Sequence, residues 1–323
     1  MSEIKHARVE ANGLSFALST AGDAGPLVVL CHGFPELAYS WRHQLPALAA
    51  AGFRAVAPDM RGYGGTRGPN SVDRYSVFEL VGDIVAIVQA LGEREAIIVG
   101  HDWGAAVAWQ AALIRPDMFK AVCAMSVPFQ PRRPGKLPID SYRKITAEKG
   151  LGEFYIVAFQ DEGRVEAEFE VDVERTMRAV FGGIAEEGRE ADRWSLYAKP
   201  GEPLLQLHNP RPLPAWISER EFAVFVDAFR ANGFRRPIHW YRNIDRNWLL
   251  SAPWQDASIG VPALFITGSR DPVRGFAGAA ERALAEFVPD LRGSVVIEGA
   301  GHWVQQEAAA EVNEALLGFL KGL

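Results

Sequence analysis

Nine residues constrain this chain more than any others: Ala96-Ile97-Ile98-Val99-Gly100-His101-Asp102-Trp103-Gly104. The apolar run at their start predicts a short buried strand, and Ala105-Ala106-Val107-Ala108-Trp109 predicts a helix. Gly-x-Asp-x-Gly lies between them. The two glycines carry no Cβ, so strand and helix can approach closely around a sharp turn. This strand–turn–helix layout is that of a nucleophile elbow, with aspartate where serine is more familiar. An ordinary βα turn, with Asp102 as the helix cap, accounts for the nine residues equally well. The rest of the chain has to choose between the two.

The flanking pattern supplies a frame. Ala7–Ala11 and Leu14–Ser19 alternate about Asn12-Gly13, a hairpin signal. Leu27-Val28-Val29-Leu30-Cys31 is a continuous apolar run, as in a strand buried on both faces. Trp41–Ala51 has helical spacing and Phe53–Ala57 is strand-like. Ser76-Val77-Phe78-Glu79 has capping-box form and opens an amphipathic helix running to about Leu91. Ala121–Met125 reads as another buried strand. Alternation returns with strands at Ala263–Thr267 and Ser294–Ile297 and helices near Ala277–Phe287 and Glu307–Leu320. Such alternation predicts an α/β fold with a doubly wound, mostly parallel sheet.

The pattern breaks in the middle. Val127-Pro128-Phe129-Gln130-Pro131-Arg132-Arg133-Pro134 is proline-rich and basic, as domain boundaries often are. Beyond it lie aromatic-rich helical patterns at Leu151–Phe159, Val165–Val180, Glu219–Ala231 and Asn243–Leu250. We therefore expect a core built from residues 1–130 and 254–323, with a helical cap over 131–253.

Composition excludes several classes. At 323 residues the chain is long enough for one large domain with an inserted lobe. Its net charge of −6 argues against nucleic acid or an anionic membrane as partner. No apolar run of about 18 residues occurs, so no membrane insertion is expected. The polar start Met1-Ser2-Glu3-Ile4-Lys5-His6 does not read as a signal peptide, and Cys31 and Cys123 sit in apolar runs. Both features suggest a cytoplasmic protein with core thiols. No metal-ligand spacing and no early Gly-x-Gly-x-x-Gly are present, so neither metal nor cofactor is expected. His6, His43 and His208 have no informative context, and His239 beside Trp240 and Tyr241 reads as packing.

In a doubly wound sheet, ligands bind beyond the carboxyl ends of the strands. The remaining candidates all stand there. His32-Gly33-Phe34-Pro35-Glu36 follows the strand ending at Cys31. The Phe34 amide could pair with the Trp103 amide as an oxyanion hole. Asp271 follows Thr267 within Gly268-Ser269-Arg270-Asp271-Pro272. His302 follows Ile297 within Glu298-Gly299-Ala300-Gly301-His302-Trp303. Alone, each reads as a turn, a cap or a loop histidine. Together, Asp102, Asp271 and His302 give the order nucleophile, acid, base.

An aspartate at the elbow redirects the chemistry. Attack on an acyl carbon would give an anhydride, whereas attack on a saturated carbon gives an alkyl ester that water can cleave. That cleavage needs a base, for which His302 oriented by Asp271 serves, and an oxyanion hole. An epoxide leaves as an alkoxide and needs proton donors, and a phenol of pKa near ~10 can donate at neutral pH. Tyr155 and Tyr241 are the candidates. A halide needs only N–H donors. The Trp103 indole could offer one, but Phe34 has none to add. The phenols therefore favour the epoxide.

With these residues assembled, the chain resembles the α/β-hydrolase-fold epoxide hydrolases of the soluble type with a helical cap, over nearly its whole length. The motifs that carry the resemblance are His32–Glu36, Gly100–Gly104, Tyr155 ahead of Phe159-Gln160, Trp240-Tyr241-Arg242-Asn243 and Gly301-His302-Trp303. The elbow alone is shared with haloalkane dehalogenases. One departure is Asp161-Glu162-Gly163 after Gln160, where relatives tend to place a proline before the glycine. The resemblance implies Asp102 as nucleophile, His302 as base, Asp271 as its orienting acid, and Tyr155 and Tyr241 as ring-opening acids. It also implies a substrate pocket drawn from His32, Pro35, Trp103, Phe159 and Trp303. The expected reaction is hydrolysis of a small apolar epoxide to a diol, with water as the second substrate, by a monomer or homodimer. Alternatives are a haloalkane or haloacid dehalogenase using the same aspartate, or a non-catalytic ligand-binding protein on the same fold. Against the haloacid reading, the segment after the elbow is small and neutral rather than arginine-bearing.

Overall fold

The structure, a computed structural model, describes residues 3–185, 196–199, 202–205 and 213–323. His208 lies outside the described residues. Strands β1 (Lys5–Ala11) and β2 (Leu14–Ala21) form the expected hairpin, with both turn residues, Asn12 and Gly13, at positive φ. Next come β3 (Leu27–Cys31), α1 (Gln44–Ala50), β4 (Arg54–Pro58), α2 (Val77–Ala90), β5 (Ala96–His101), α3 (Trp103–Ile114) and β6 (Phe119–Met125). Helix α2 starts where the capping box predicts, with Ser76 accepting from the Glu79 amide. The helical spacing over Trp41–Ala51 resolves into a 3₁₀ turn at Ala38–Trp41 followed by α1.

Between β6 and β9 the chain departs from alternation, as expected. It forms α4 (Pro138–Lys149), β7 (Glu153–Phe154), α5 (Tyr155–Ala158), α6 (Arg164–Phe169), α7 (Val173–Ile184), β8 (Tyr197–Ala198), α8 (Glu219–Asn232), α9 (Arg235–Arg242) and α10 (Ile244–Leu250). Helix α4 is missing from the sequence expectation because it buries only Ile139 and Thr146, too few for a readable apolar face. The Leu151–Phe159 pattern is not one helix: β7 pairs with β8 before the single turn of α5 begins. The Val165–Val180 pattern divides at Asp172, whose side chain caps α7 by accepting from the Arg175 amide. The chain then returns through β9 (Ala263–Gly268), α11 (Val273–Arg282), α12 (Leu284–Phe287), β10 (Leu291–Ile297), α13 (Val304–Glu307) and α14 (Ala309–Lys321).

Eight strands make one sheet in the order β1-β2-β4-β3-β5-β6-β9-β10. Strands β1, β2 and β4 are joined antiparallel, and every pairing from β4 through β10 is parallel. The chain thus has the α/β-hydrolase fold. Alternate residues of each central strand serve opposite faces. Val29 of β3 and Ile98 of β5 pack with Leu80, Ile84 and Ala108 of α2 and α3. Val28, Leu30 and Val99 pack with Leu45, Leu48, Leu316 and Phe319 of α1 and α14. Cys31 belongs to the first layer and Cys123 to the second, so the sheet itself separates the two free thiols. No helix among the described residues is long and apolar enough to cross a membrane.

Candidate active site

The elbow is built by close contact. A Cβ on Gly100 would collide with the Gly104 carbonyl, and one on Gly104 would collide with the Cys31 carbonyl. Glycine at both positions lets α3 start directly against β3 and β5. Asp102 pays for the tight turn with φ 52° and ψ −122°, a conformation costing a non-glycine residue on the order of 1–3 kcal/mol. Its carboxylate accepts from the Phe34 amide at 2.8 Å and from the Trp103 amide. No bond to the second or third amide of α3 supports the capping alternative, and the two amides of the expected oxyanion hole, Phe34 and the first helical residue Trp103, sit on this carboxylate. Gly33 is required as well, since a Cβ there would run into the Asp102 carboxyl group. Burial raises the Asp102 pKa, while His302, His101 and the two amides oppose the rise.

The strand ends bring the triad residues together. His302 Nε2 lies 3.7 Å from Asp102 Oδ2, and its Nδ1 lies 3.1 Å from Asp271 Oδ1. Asp271 is fixed in turn by the Val273 amide, which donates to Oδ1 at 2.9 Å. Burial pushes the His302 imidazolium down, but Asp271, Asp102 and Glu36 more than offset this and carry its pKa up to about 9. A histidine whose folded pKa is raised contributes stability that is complete below the unfolded value of 6.5 and is lost as pH rises through about 9. Thermal midpoints should therefore fall across this window, with a free-energy slope approaching about 1.4 kcal/mol per pH unit. The same decline should be missing from His302→Gln. Parallel melting curves for the two proteins would refute the assignment of this proton.

Two residues at the site are not anticipated from the motifs. Ser126, at the end of β6 with φ 70°, places Oγ 3.1 Å from His302 Nδ1. The strand-end rule that points to Asp102, Asp271 and His302 points to this residue too, but a lone serine after a strand carries no further signal. Glu36, named above only as the end of a loop motif, is fully buried. It accepts from the Gly33 amide at 3.0 Å and from the Gln305 amide group at 2.8 Å, and it lies 2.7 Å from His101 Nδ1. The other His101 nitrogen stands 2.8 Å from the His302 carbonyl oxygen. One buried pair thus links the Phe34 loop, the elbow and the base. Burial raises the Glu36 carboxyl, and His101 with its other partners outweighs that and holds it at about 2.

Tyr155 opens α5 and Tyr241 ends α9. Gln160 ties the two helices by donating to the Ile156 and Tyr241 carbonyls. Arg242 donates to the Phe159 carbonyl and pairs with Glu166, and Asn243 donates to the Val72 and His239 carbonyls. The motif residues around the tyrosines are therefore scaffolding. Asp161, the departure from the family pattern, faces solvent beside Arg164. The Tyr155 and Tyr241 rings stand edge-on with centroids 5.9 Å apart, and the Trp103 ring stands edge-on to Tyr241 at 5.1 Å. Burial and the neighbouring Asp102 charge hold both phenols well above their ordinary pKa, so both stay protonated at neutral pH.

A cavity above Asp102 is walled by Phe34, Tyr155, Val180, Tyr241, Phe276 and His302, among others. The residues expected to line a pocket stand differently. His32 is fully buried; it donates from Nδ1 to the Gly33 carbonyl and accepts from the Met60 amide at Nε2. Trp303 is fully buried, stacked on Phe181 and donating to its carbonyl. Phe159 packs edge-on against both phenols, with ring centroids 5.5 and 4.8 Å away. Pro35 is buried, and Trp103 meets the Asp102 carboxylate through its amide and stands edge-on to Tyr241. His239 contacts the Asn70 carbonyl and Arg242, as packing predicts.

Comparison with known proteins identifies the family. A family model of the alpha/beta hydrolase fold matches residues 26–155. Epoxide hydrolase A of Mycobacterium tuberculosis is 44% identical over 317 residues, covering 98% of this chain and 97% of that protein. Epoxide hydrolase 1 of Siraitia grosvenorii is 37% identical over 330 residues, with 99% of each covered. Among solved structures, an epoxide hydrolase from an endophytic Streptomyces superposes with a TM-score of 0.94 at 42% identity, covering 99% of this chain and 96% of that one. Epoxide hydrolase A from Mycobacterium thermoresistibile gives a TM-score of 0.92 at 43% identity, with 99% of both chains covered.

Proposed function

The chain belongs to the epoxide hydrolases of the α/β-hydrolase fold, and from that premise we propose that it opens an apolar epoxide to a vicinal diol through an alkyl ester on Asp102. The observation that carries this reading is the pair of neutral phenols, Tyr155 and Tyr241, lining one cavity with the Asp102 carboxylate. The segment 131–253, which carries both phenols, acts as the cap.

In the first step an Asp102 oxygen attacks an epoxide carbon, the C–O bond breaks, and the alkoxide takes a proton from Tyr155 or Tyr241. The resulting phenolate takes the proton of the His302 imidazolium, which leaves a neutral imidazole. In the second step that imidazole accepts a proton from water while the hydroxide adds to the Asp102 carboxyl carbon. The Phe34 and Trp103 amides stabilise the oxyanion. Collapse expels the alkoxide, which leaves as the diol after taking the carboxyl proton. Asp102, His302 and both phenols return to their starting protonation states.

The dehalogenase alternative loses ground. Halide release needs N–H donors aimed into the cavity, and its described lining holds no Trp, Asn or Gln side chain. The ligand-binding alternative leaves the oriented Asp271–His302 pair without a purpose.

A single turnover in ¹⁸O-water separates ester from direct hydration. The ester route sends the label to the Asp102 carboxylate, read in its peptide by mass spectrometry, and gives an unlabelled first diol. A labelled first diol with an unlabelled peptide would overturn the covalent route.

A further inference from the structure

A groove of about 610 Å³ opens where the inserted helices meet the core, and it shares no lining residue with the cavity above Asp102. Its walls come from α3, α4, α10, α11 and α12, the start of α2 and the strap 129–136. The floor is aromatic: Phe129, Tyr142, Trp248, Trp254 and Phe287. Ile145, 46% exposed, carries the apolar surface out to the mouth.

The charged groups there are all of one sign. Arg132, Arg133 and Lys136 line the groove, and no aspartate or glutamate does, in a chain whose net charge is −6. Arg132 is held in place: its guanidinium stacks 4.1 Å from the Trp248 ring and donates to the Trp248 carbonyl and Gln255. The Arg133 guanidinium lies over the Phe287 ring at 5.2 Å. Neither Arg133 nor Lys136 forms an ion pair with a carboxylate among the described residues. On the inner wall, Gln110 Nε2 is buried without a hydrogen-bond partner. Such a buried donor lacks the bond that nearly all buried polar groups make.

We propose that this groove is a second binding site, for an amphiphilic carboxylate. Its anionic head would meet Arg133 and Lys136, and its apolar body would lie on Trp248, Trp254 and Phe287. The volume falls within the ordinary range for small-molecule sites, roughly 300–1,000 Å³. Cations in a lining without carboxylates favour an anion, and aromatic faces favour an apolar body. A neutral alcohol satisfies only the second condition and a small inorganic anion only the first.

The test is calorimetric titration of the intact protein with decanoate and with decan-1-ol. Decanoate should bind one per chain. Its affinity should weaken at least tenfold in Arg133→Ser/Lys136→Ser, and it should also weaken as salt is raised. Decan-1-ol should bind the two proteins equally. Ala283→Trp, which fills the groove from α12's side, should abolish decanoate binding while diol formation continues in all variants. Equal decanoate affinity in wild type and the double variant would place the ligand elsewhere and overturn the proposal. So would an absence of binding up to the solubility limit.

Discussion

In a His302→Gln variant, a covalent ester on Asp102 should accumulate while diol formation falls by about 10³-fold or more. The expected loss follows from the role of a general base, which contributes roughly 10²–10⁴-fold. In the proposed route Asp102 does not need the imidazole to attack, because its carboxyl group is already held by the Phe34 and Trp103 amides. The second step does need it, because water must lose a proton as it adds to the ester. Intact-protein mass spectrometry after mixing with an epoxide should show one added substrate mass per chain, mapped to the Asp102 peptide. Asp271→Asn should show the same trapped species more weakly, since it disturbs the 3.1 Å contact to His302 Nδ1 without removing the base. If His302→Gln forms no adduct yet still binds substrate, the division of labour between the two steps is wrong.

The second large effect lies on the other side of the substrate. Replacing both Tyr155 and Tyr241 by Phe should remove ring opening, with a fall of at least about 10³-fold and no adduct on Asp102. Each single replacement should cost less, because the remaining phenol still reaches the alkoxide. The decisive measurement is the rate of adduct formation rather than overall turnover. In the proposed route the phenols act in the first step and His302 in the second, so the double phenylalanine variant and His302→Gln should fail in opposite ways. The rings themselves stay in place in Phe, so the edge-on packing with Phe34 and Phe159 is kept. A double variant that still alkylates at the original rate would reduce both tyrosines to packing residues.

Much of this arrangement is legible in the chain itself, for identifiable reasons. The parallel sheet shows because buried strands leave uninterrupted apolar runs, as at Leu27–Cys31 and Ala96–Val99. The catalytic candidates show because each follows such a run. The inserted segment is harder to read. Its order comes from polar ties such as Gln160 to the Tyr241 carbonyl and Arg242 to Glu166, and these leave no periodicity. The pocket shows the same limit. His32 and Trp303 look like lining residues because they flank the loops that carry the chemistry. The structure turns both inward, since each ring nitrogen finds a backbone partner in the interior. Glu36 is the sharpest case. A fully buried carboxylate three residues from Gly33 becomes intelligible only when His101 and Gln305 arrive from distant parts of the chain.

Under the proposed ester route, the 3.7 Å separation between His302 and Asp102 carries a kinetic consequence. While Asp102 is a carboxylate, its charge helps keep the imidazole protonated, so the base is locked and resting enzyme cannot activate water against an empty site. Formation of the ester neutralises Asp102 and removes one of the charges that retain that proton. The lock therefore opens only when there is an ester to cleave. Hydrolysis restores the carboxylate, and with it the lock. The intermediate acts as its own timing signal, so the two half-reactions keep their order with no moving part beyond a proton.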